Sequence, residues 1–111
     1  MMKYVPERGD IIWLSFSPQS GVEQAGRRPA IVLSPSSYNE KSGLILVCPV
    51  TSKQKGYPFE VALSDSLTTS GTVLSDQVRS LDWRVREASF IETINDAALA
   101  DILENVRLLL D

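Results

Sequence analysis

Short apolar runs separated by turn-forming residues fill the first 81 positions of the chain. Clusters rich in Gly, Pro and Ser interrupt these runs, and each run has the length of a strand and is rich in Ile, Val, Leu and aromatic residues. The runs cover residues 11–16, 30–33, 44–50, 59–63, and 72–74 continuing through 78–81. This spacing predicts a mainly β (α+β) fold, in the form of a small antiparallel β-barrel or a strongly bent sheet.

Two features modify this pattern locally. Pro49 cannot donate a ladder hydrogen bond, so we expect the third run to end, to bulge or to lie at an edge near Thr51. Residues 39–43 predict a turn, which follows a short helical piece containing Tyr38. We therefore expect the regular strand pattern to be interrupted at residues 39–43 and again near Thr51.

The apolar period changes from strand to helix near the C-terminus. Apolar residues recur there at i, i+3, i+4 and i+7, and Asn95 or Asp96 is placed to cap the start. We expect one amphipathic helix that packs on the sheet of its own chain, although part of it could serve a dimer. Its apolar positions are Leu99, Ile102, Leu103, Val106, and Leu109 or Leu110.

Length and composition indicate the number of domains and the cellular compartment. A chain of 111 residues with 43% hydrophobic residues can build one core, so we expect a single domain over residues 1–111. The one cysteine, Cys48, lies inside an apolar run and cannot form an internal disulfide, which favours a reducing cytoplasm. No window has the apolar length of a membrane span, and the N-terminus lacks the apolar core of a signal peptide.

The net charge of −3 hides an uneven distribution. Six acidic residues and one basic residue follow position 86, a balance of −5, which leaves +2 for residues 1–86. The cations of that part lie in three groups: Arg27 and Arg28, Lys53 and Lys55, and Arg79, Arg84 and Arg86. A local basic surface is therefore possible, although solvated surface charge is the simpler interpretation of the charges alone.

The absence of histidine removes most familiar catalytic sets. Neither a Cys/His pair nor a Ser/His/Asp triad can form, a structural zinc site lacks ligands, and no Gly-rich phosphate loop is present. Ribonuclease chemistry stays open because the 2′-hydroxyl of RNA is itself the nucleophile. Residues 23–29 offer suitable groups, namely one carboxylate, one amide and two guanidinium groups directly before a strand.

Four ordered motifs between residues 4 and 86 closely resemble the MazF/PemK/Kid family of toxin endoribonucleases, and the MazF branch most of all. They are YVP (4–6) with RGDIIW (8–13), EQAGRRPA (23–30), VCPVT (47–51) with KGYPF (55–59), and DQVRS (76–80). The resemblance implies a compact homodimeric β-barrel with a C-terminal helix. It also implies cleavage of single-stranded mRNA without a metal or other cofactor, leaving 2′,3′-cyclic phosphate and 5′-hydroxyl ends. An acidic, MazE-like antitoxin should neutralise the protein by occupying its RNA-binding surface.

The resemblance also assigns catalytic roles. Arg28 matches the family's essential arginine and would stabilise charge on the scissile phosphate, while Thr51 matches its essential hydroxyl and would hydrogen-bond a phosphate oxygen. Glu23 is the candidate general base, with an ion pair to Arg27 or Arg28 as the alternative. The Kid branch uses a histidine and an arginine where this chain has Val22 and Leu74, which favours the set of Glu23, Arg28 and Thr51.

Further residues beside this set are candidate RNA contacts. Polar side chains there could meet phosphates or base edges, and aromatic ones could stack on bases. Trp13 is also aromatic, but its place inside a strand favours the core. Gln77, with Asp76, matches a family signature and would line the groove or support it. The predicted contacts are Phe16, Gln24, Arg27, Ser52, Lys53, Lys55, Tyr57 and Gln77.

A second class of function is compatible with the same fold. The gyrase-poisoning CcdB toxins share it and act by binding a protein, so a non-catalytic binding module is the alternative hypothesis. Residues 23–29 together with Thr51 favour the nuclease, because a protein-binding module has no need of a phosphate-binding pair.

Overall fold

The computed structural model describes residues 3–16 and 26–111. Within these ranges the chain forms seven strands and two helices, neither of which is long and apolar enough to cross a membrane. The elements are β1 (Asp10–Ser15), β2 (Arg27–Val32), α1 (Ser36–Ser42), β3 (Leu44–Thr51), β4 (Glu60–Ala62), β5 (Thr72–Leu74), β6 (Arg79–Asp82), β7 (Ser89–Thr93) and α2 (Asp96–Leu108).

All seven strands pair antiparallel, in the order β4-β5-β3-β2-β1-β7, with β6 also paired to β3. Because β4 and β7 end this path, the described strands form an open sheet and not a closed barrel. Successive residues of a strand point to opposite faces, so Ile11 and Ile12 enter two different apolar clusters. The predicted mainly β fold with a C-terminal helix is confirmed.

Strand β3 ends at Thr51, one of the three outcomes predicted from Pro49, but it lies inside the sheet and not along an edge. One side of β3 pairs with β2, and the other pairs with β6 up to Val47 and with β5 from Val50. Pro49 falls in the gap between these last two ladders. A residue without an N–H is tolerated there because no ladder bond is required of it on that side.

Two further expectations need correction. The run predicted to continue from residue 72 to residue 81 is broken into β5 and β6 by a turn, in which the Gln77 N–H donates to the Leu74 carbonyl at 3.1 Å. The predicted turn at residues 39–43 belongs mostly to α1, which ends at Gly43 with φ 76°. Strand β7 was not predicted, because its five residues are at most half-buried and show no clear alternation.

Helix α2 packs on the sheet of its own chain, as predicted. Ile102 is fully buried, and Leu99, Leu103 and Val106 are partly buried against the same cluster. Asn95 occupies the N-cap position, although its side chain makes no capping hydrogen bond. The predicted apolar face extends too far, because the helix ends at Leu108 and the leucines at 108–110 are exposed.

A carboxylate on β7 holds the loop that precedes β5. Glu92 accepts hydrogen bonds from the N–H groups of Thr69 at 2.7 Å and Thr68 at 3.0 Å. A hydrogen bond from the Thr69 side chain lowers the pKa of Glu92 most, and the two backbone bonds lower it further, because all three favour the charged form. The contribution of Glu92 to stability is therefore complete above the usual Glu pKa of about 4.3 and is lost as the pH falls below it.

We expect Glu92→Gln to lower the midpoint of urea unfolding at pH 7, because an amide accepts these N–H groups less strongly than a carboxylate does. The difference from the unmodified protein should shrink at pH 3. Unfolding followed by circular dichroism at both pH values checks this, with Glu104→Gln on the exposed face of α2 as the control. A difference of equal size at both pH values would contradict the proposed linkage.

Candidate active site

Arg28 and Thr51 come together through the register of two neighbouring strands. The ladder between β2 and β3 pairs Val32 with Val47 and Ala30 with Pro49. The same register, continued by two residues, places Arg28 opposite Thr51. Residues directly opposite in an antiparallel pair have Cα atoms about 4.5–5.5 Å apart. Two residues separated by more than twenty positions therefore become neighbours at one end of the sheet.

A pocket of about 470 Å³ opens at this point, and we call it the Arg28 pocket. Arg28 and Lys53 give it two cations, and the described residues that line it include no carboxylate. Its hydroxyl groups come from threonine and serine, which can donate to phosphate oxygens. Such a site favours an anion of the size and hydrogen-bonding capacity of a phosphodiester. The lining residues are Arg28, Pro29, Val50, Thr51, Ser52, Lys53 and Ser70.

Local hydrogen bonding orients the Thr51 hydroxyl. Its Oγ1 accepts the backbone N–H of Lys53 at 3.1 Å, so the hydroxyl proton is available for a bound ligand. Arg28 is exposed, and among the described residues it has no hydrogen-bond or ion-pair partner. Within the part of the chain that the structure describes, its guanidinium donors are therefore available as well. One half-buried hydroxyl and one exposed guanidinium group can bind the same phosphate from two sides.

The segment before β5 forms the back of the Arg28 pocket. Thr72 pairs with Thr51 in the ladder, and Ser70 lines the pocket. Gly71 has φ +131°, and a Cβ at this position would lie 2.6 Å from the carbonyl oxygen of Thr51. Glycine is needed here both for its backbone angle and for this close approach. Sequence reasoning predicted only a turn over residues 64–71 and did not identify Ser70 or Gly71 as parts of the site.

The remaining predicted contacts divide into those near the Arg28 pocket and those apart from it. Ser52 and Lys53 line it. Lys55 and Tyr57 lie in the exposed loop that follows, where the Glu60 carboxylate accepts the N–H groups of Lys55 and Gly56 at 3.2 and 2.9 Å. Tyr57 is 59% exposed, so its ring is free to stack on a base.

Arg27 is turned toward β7 and not toward the Arg28 pocket. Its Nη2 donates to Ser89 Oγ at 2.9 Å, and its Nη1 lies 3.8 Å from Glu87. Both Arg27 and Arg28 were expected in a loop, but β2 already begins at Arg27. Because successive strand residues point to opposite faces, one arginine can line the Arg28 pocket while the other reaches toward β7, which lies beyond β1 in the sheet.

The aromatic residues of β1 do not match their predictions. Trp13 is 42% exposed, so its predicted place in the core is wrong; its ladder partners Pro29 and Ser89 are too small to cover an indole ring. Phe16 is only 9% exposed, and the guanidinium carbon of Arg79 lies 5.4 Å from its ring centroid. A base could stack on Phe16 only by displacing this cation, so its burial does not favour the predicted RNA contact.

Three other candidates complete the comparison with the sequence. Gln77 is exposed in the turn between β5 and β6, outside the set that lines the Arg28 pocket. Glu23 and Gln24 lie outside the described residues, so their roles stay predictions.

Burial, with a smaller effect of the Asp76 carboxylate, raises the pKa of the Cys48 thiol to about 12. Cys48 is therefore protonated at neutral pH and is not a nucleophile.

The bent antiparallel sheet with an anion pocket at its strand ends agrees with one family of toxins. Residues 7–110 match the model of the PemK-like, MazF-like toxins of type II toxin-antitoxin systems. The chain belongs to this family. It is 47% identical over 108 residues to the endoribonuclease toxin MazF of Escherichia coli (strain K12), a match that covers 97% of this chain and 96% of that protein.

Solved structures give the same result for the fold. A crystal structure of MazF from Deinococcus radiodurans superposes with a TM-score of 0.90 at 52% identity and covers 97% of this chain and 98% of that one. A crystal structure of MazE-MazF from the same organism gives a TM-score of 0.92 at 52% identity, with 97% of each chain covered. The likeness extends over nearly the whole chain.

Proposed function

We propose that this protein is an endoribonuclease toxin of a type II toxin-antitoxin system that cleaves single-stranded mRNA and thereby inhibits translation and growth. The observation that carries the proposal is the placement of Arg28 and Thr51 in one cationic, hydroxyl-lined pocket. Membership of the PemK-like, MazF-like toxin family supports it, as do relatives named endoribonucleases. Because the substrate is mRNA, the protein would act in the cytoplasm, as one domain over residues 1–111.

The mechanism uses the nucleophile that RNA itself carries. The 2′-hydroxyl attacks the adjacent phosphorus, and the bond to the 5′-oxygen of the next nucleotide breaks, which leaves a 2′,3′-cyclic phosphate and a 5′-hydroxyl. Arg28 stabilises the additional negative charge of the phosphorane, and Thr51 donates to a non-bridging oxygen. Glu23 takes the proton of the 2′-hydroxyl, and the departing 5′-oxygen takes a proton from solvent water, which gives the 5′-hydroxyl. These groups suffice without a metal ion, because charge stabilisation comes from Arg28 and Lys53.

The alternative, a non-catalytic module that binds a protein such as DNA gyrase, accounts less well for the Arg28 pocket. A protein-binding surface derives its affinity from a buried apolar centre with a polar rim. Here the strand ends carry two cations and several hydroxyls around a concave site. This lining supports a phosphate site.

The experiment that tests the proposed function maps the ends of the RNA products. Purified protein is incubated with a long single-stranded RNA in excess EDTA, and the fragments are analysed for their terminal groups. We expect cleavage with 2′,3′-cyclic phosphate and 5′-hydroxyl ends. Intact RNA would overturn the enzymatic proposal, and cleavage that requires added Mg²⁺ would overturn the metal-independent mechanism. The same fragments identify the cleavage sequence.

The partners follow from the same surface. We propose that an acidic, MazE-like antitoxin binds across the Arg28 pocket and competes there with RNA; among solved relatives, MazE-MazF of Deinococcus radiodurans is such a complex. We also propose that two copies form a symmetric homodimer, so that two such pockets share a longer groove. A dimer is tested by light scattering at micromolar concentration, where a monomeric mass would contradict it.

We expect the affinity for an acidic antitoxin peptide to fall as salt concentration rises. The peptide would neutralise Arg28 and the lysines at 53 and 55, and exposed charge pairs are screened by salt over a Debye length of about 10 Å at 0.1 M. Isothermal titration at 50 and 300 mM NaCl checks this. An affinity unchanged between these conditions would contradict binding of the peptide at the cationic surface.

A further inference from the structure

A second depression adjoins the Arg28 pocket and shares two of its lining residues, Ser52 and Ser70. It has a volume of about 350 Å³, and we call it the Asp65 pocket. Since two residues border both pockets, the two depressions lie side by side. A nucleotide whose phosphate lies beside Arg28 therefore has a neighbouring site within reach for a base.

The chemistry of the Asp65 pocket is opposite to that of the Arg28 pocket. None of the described residues that line it is cationic, and the one charged residue among them is an acid, so a second phosphate would be repelled. Ala62, Leu63 and Leu67 supply apolar surface, while Gln54 and Asp65 supply polar groups. A nucleobase fits both kinds of surface, because its flat ring can pack on the apolar residues and the donors on its edge can bond the polar groups.

The loop that carries Asp65 is held by its own hydrogen bonds. Ser64 Oγ accepts the N–H of Ser66 at 3.1 Å, and the Ser64 carbonyl accepts the N–H of Leu67 at 3.1 Å. Glu92 then holds the next two residues from β7. Asp65 itself has no hydrogen-bond or ion-pair partner among the described residues. A positioned loop with an acceptor free for a ligand is a preorganised recognition site.

We propose that the Asp65 pocket binds the base of a nucleotide adjoining the scissile phosphate and selects bases that carry an exocyclic amino group. A carboxylate can only accept hydrogen bonds. Adenine, cytosine and guanine each offer an exocyclic amino group to it, whereas uracil offers only its ring N3–H, which is flanked by two carbonyl oxygens that a carboxylate repels. Asp65 is thus a specificity-determining residue of the ribonuclease site, and this inference rests on the proposed function.

The test compares Asp65→Asn with the unmodified protein on a randomised single-stranded RNA, with fragment ends sequenced. Asparagine keeps the shape but adds a donor that uracil can accept. At one position beside the cut, we expect the unmodified protein to disfavour uracil and the variant to reduce this preference about tenfold. Asp101→Asn, an exposed acid on α2, serves as the control and should change nothing. Preferences identical in Asp65→Asn and the unmodified protein would overturn the inference.

A binding measurement separates this inference from the proposed function. Short single strands lacking the 2′-hydroxyl cannot be cleaved by 2′-attack, and their affinity is measured with uracil or an amino-bearing base at the selected position. Should the unmodified protein cleave no RNA but still prefer amino-bearing bases, with the preference lost in Asp65→Asn, the base site stands and the nuclease proposal fails. Equal affinity for both kinds of strand overturns the base site whether or not RNA is cleaved.

Discussion

Arg28→Ala is expected to lower kcat for RNA cleavage by about 10²–10³-fold, the usual loss when one group that stabilises transition-state charge is removed. The side chain lines the Arg28 pocket, opposite Thr51 in the continued register of β2 and β3. Negative charge grows on the phosphate oxygens only as the 2′-hydroxyl attacks. The loss should therefore appear in kcat more than in KM.

The matched control is Arg107→Ala, which removes the same charge from the exposed last turn of α2. It should leave cleavage within about twofold of the unmodified rate, because a distant exposed charge is screened. Arg28→Lys keeps the charge but loses the planar donor pair, so it should restore cleavage only partly. Fluorogenic RNA assays under single-turnover conditions measure all three variants. Full activity in Arg28→Ala would refute the assignment of Arg28.

Gly71→Ala is the second change with a large expected effect, on both stability and cleavage. A Cβ at Gly71 would lie 2.6 Å from the Thr51 carbonyl oxygen, and φ is +131°. Backbone strain costs about 1–3 kcal/mol and forced overpacking costs about as much again, so we expect a loss of about 2–6 kcal/mol in the free energy of unfolding. Because Thr51 must move to relieve the contact, kcat should fall in the folded protein as well.

Gly56→Ala is the control that separates backbone strain from the steric contact of the added Cβ. Gly56 also has positive φ, at +82°, but a Cβ there meets nothing within 4 Å. We expect it to cost only about 1–2 kcal/mol, the penalty of the left-handed conformation. Urea unfolding of both variants gives the comparison, and cleavage is measured where each is fully folded. If Gly71→Ala lowers the free energy of unfolding by no more than Gly56→Ala does, close packing against Thr51 does not constrain position 71.

The sequence predicted well wherever a strand is continuous and mostly buried. The apolar runs of β1 and β3 were recognised to within a residue at each end, because the apolar character of such a run is a local property of the segment. The five-residue β7 was missed since its residues are barely buried. The break between β5 and β6 was missed as well, because their apolar residues continue the same pattern on both sides of the turn.

The candidate site was likewise predicted only in part. Arg28 and Thr51 were each identified from a motif in the sequence, and the two fall in one pocket because of how β2 pairs with β3. Ser70 and Gly71 carry no motif, and residues of their type are common in solvated turns. The exposure of Trp13 likewise depends on the size of its neighbours across the sheet, which are distant in sequence.

What the sequence alone determined about this protein is its local structure and its chemical inventory. The strands, the C-terminal helix, the lack of histidine and the candidate arginine and threonine all follow from short-range patterns and side-chain chemistry. Only the tertiary structure decided that Arg28, Thr51 and Ser70 share a pocket and that Asp65 lies in an adjoining one. The physical reason is that strand pairing and loop placement depend on the joint burial of residues far apart in the chain, which no local pattern records.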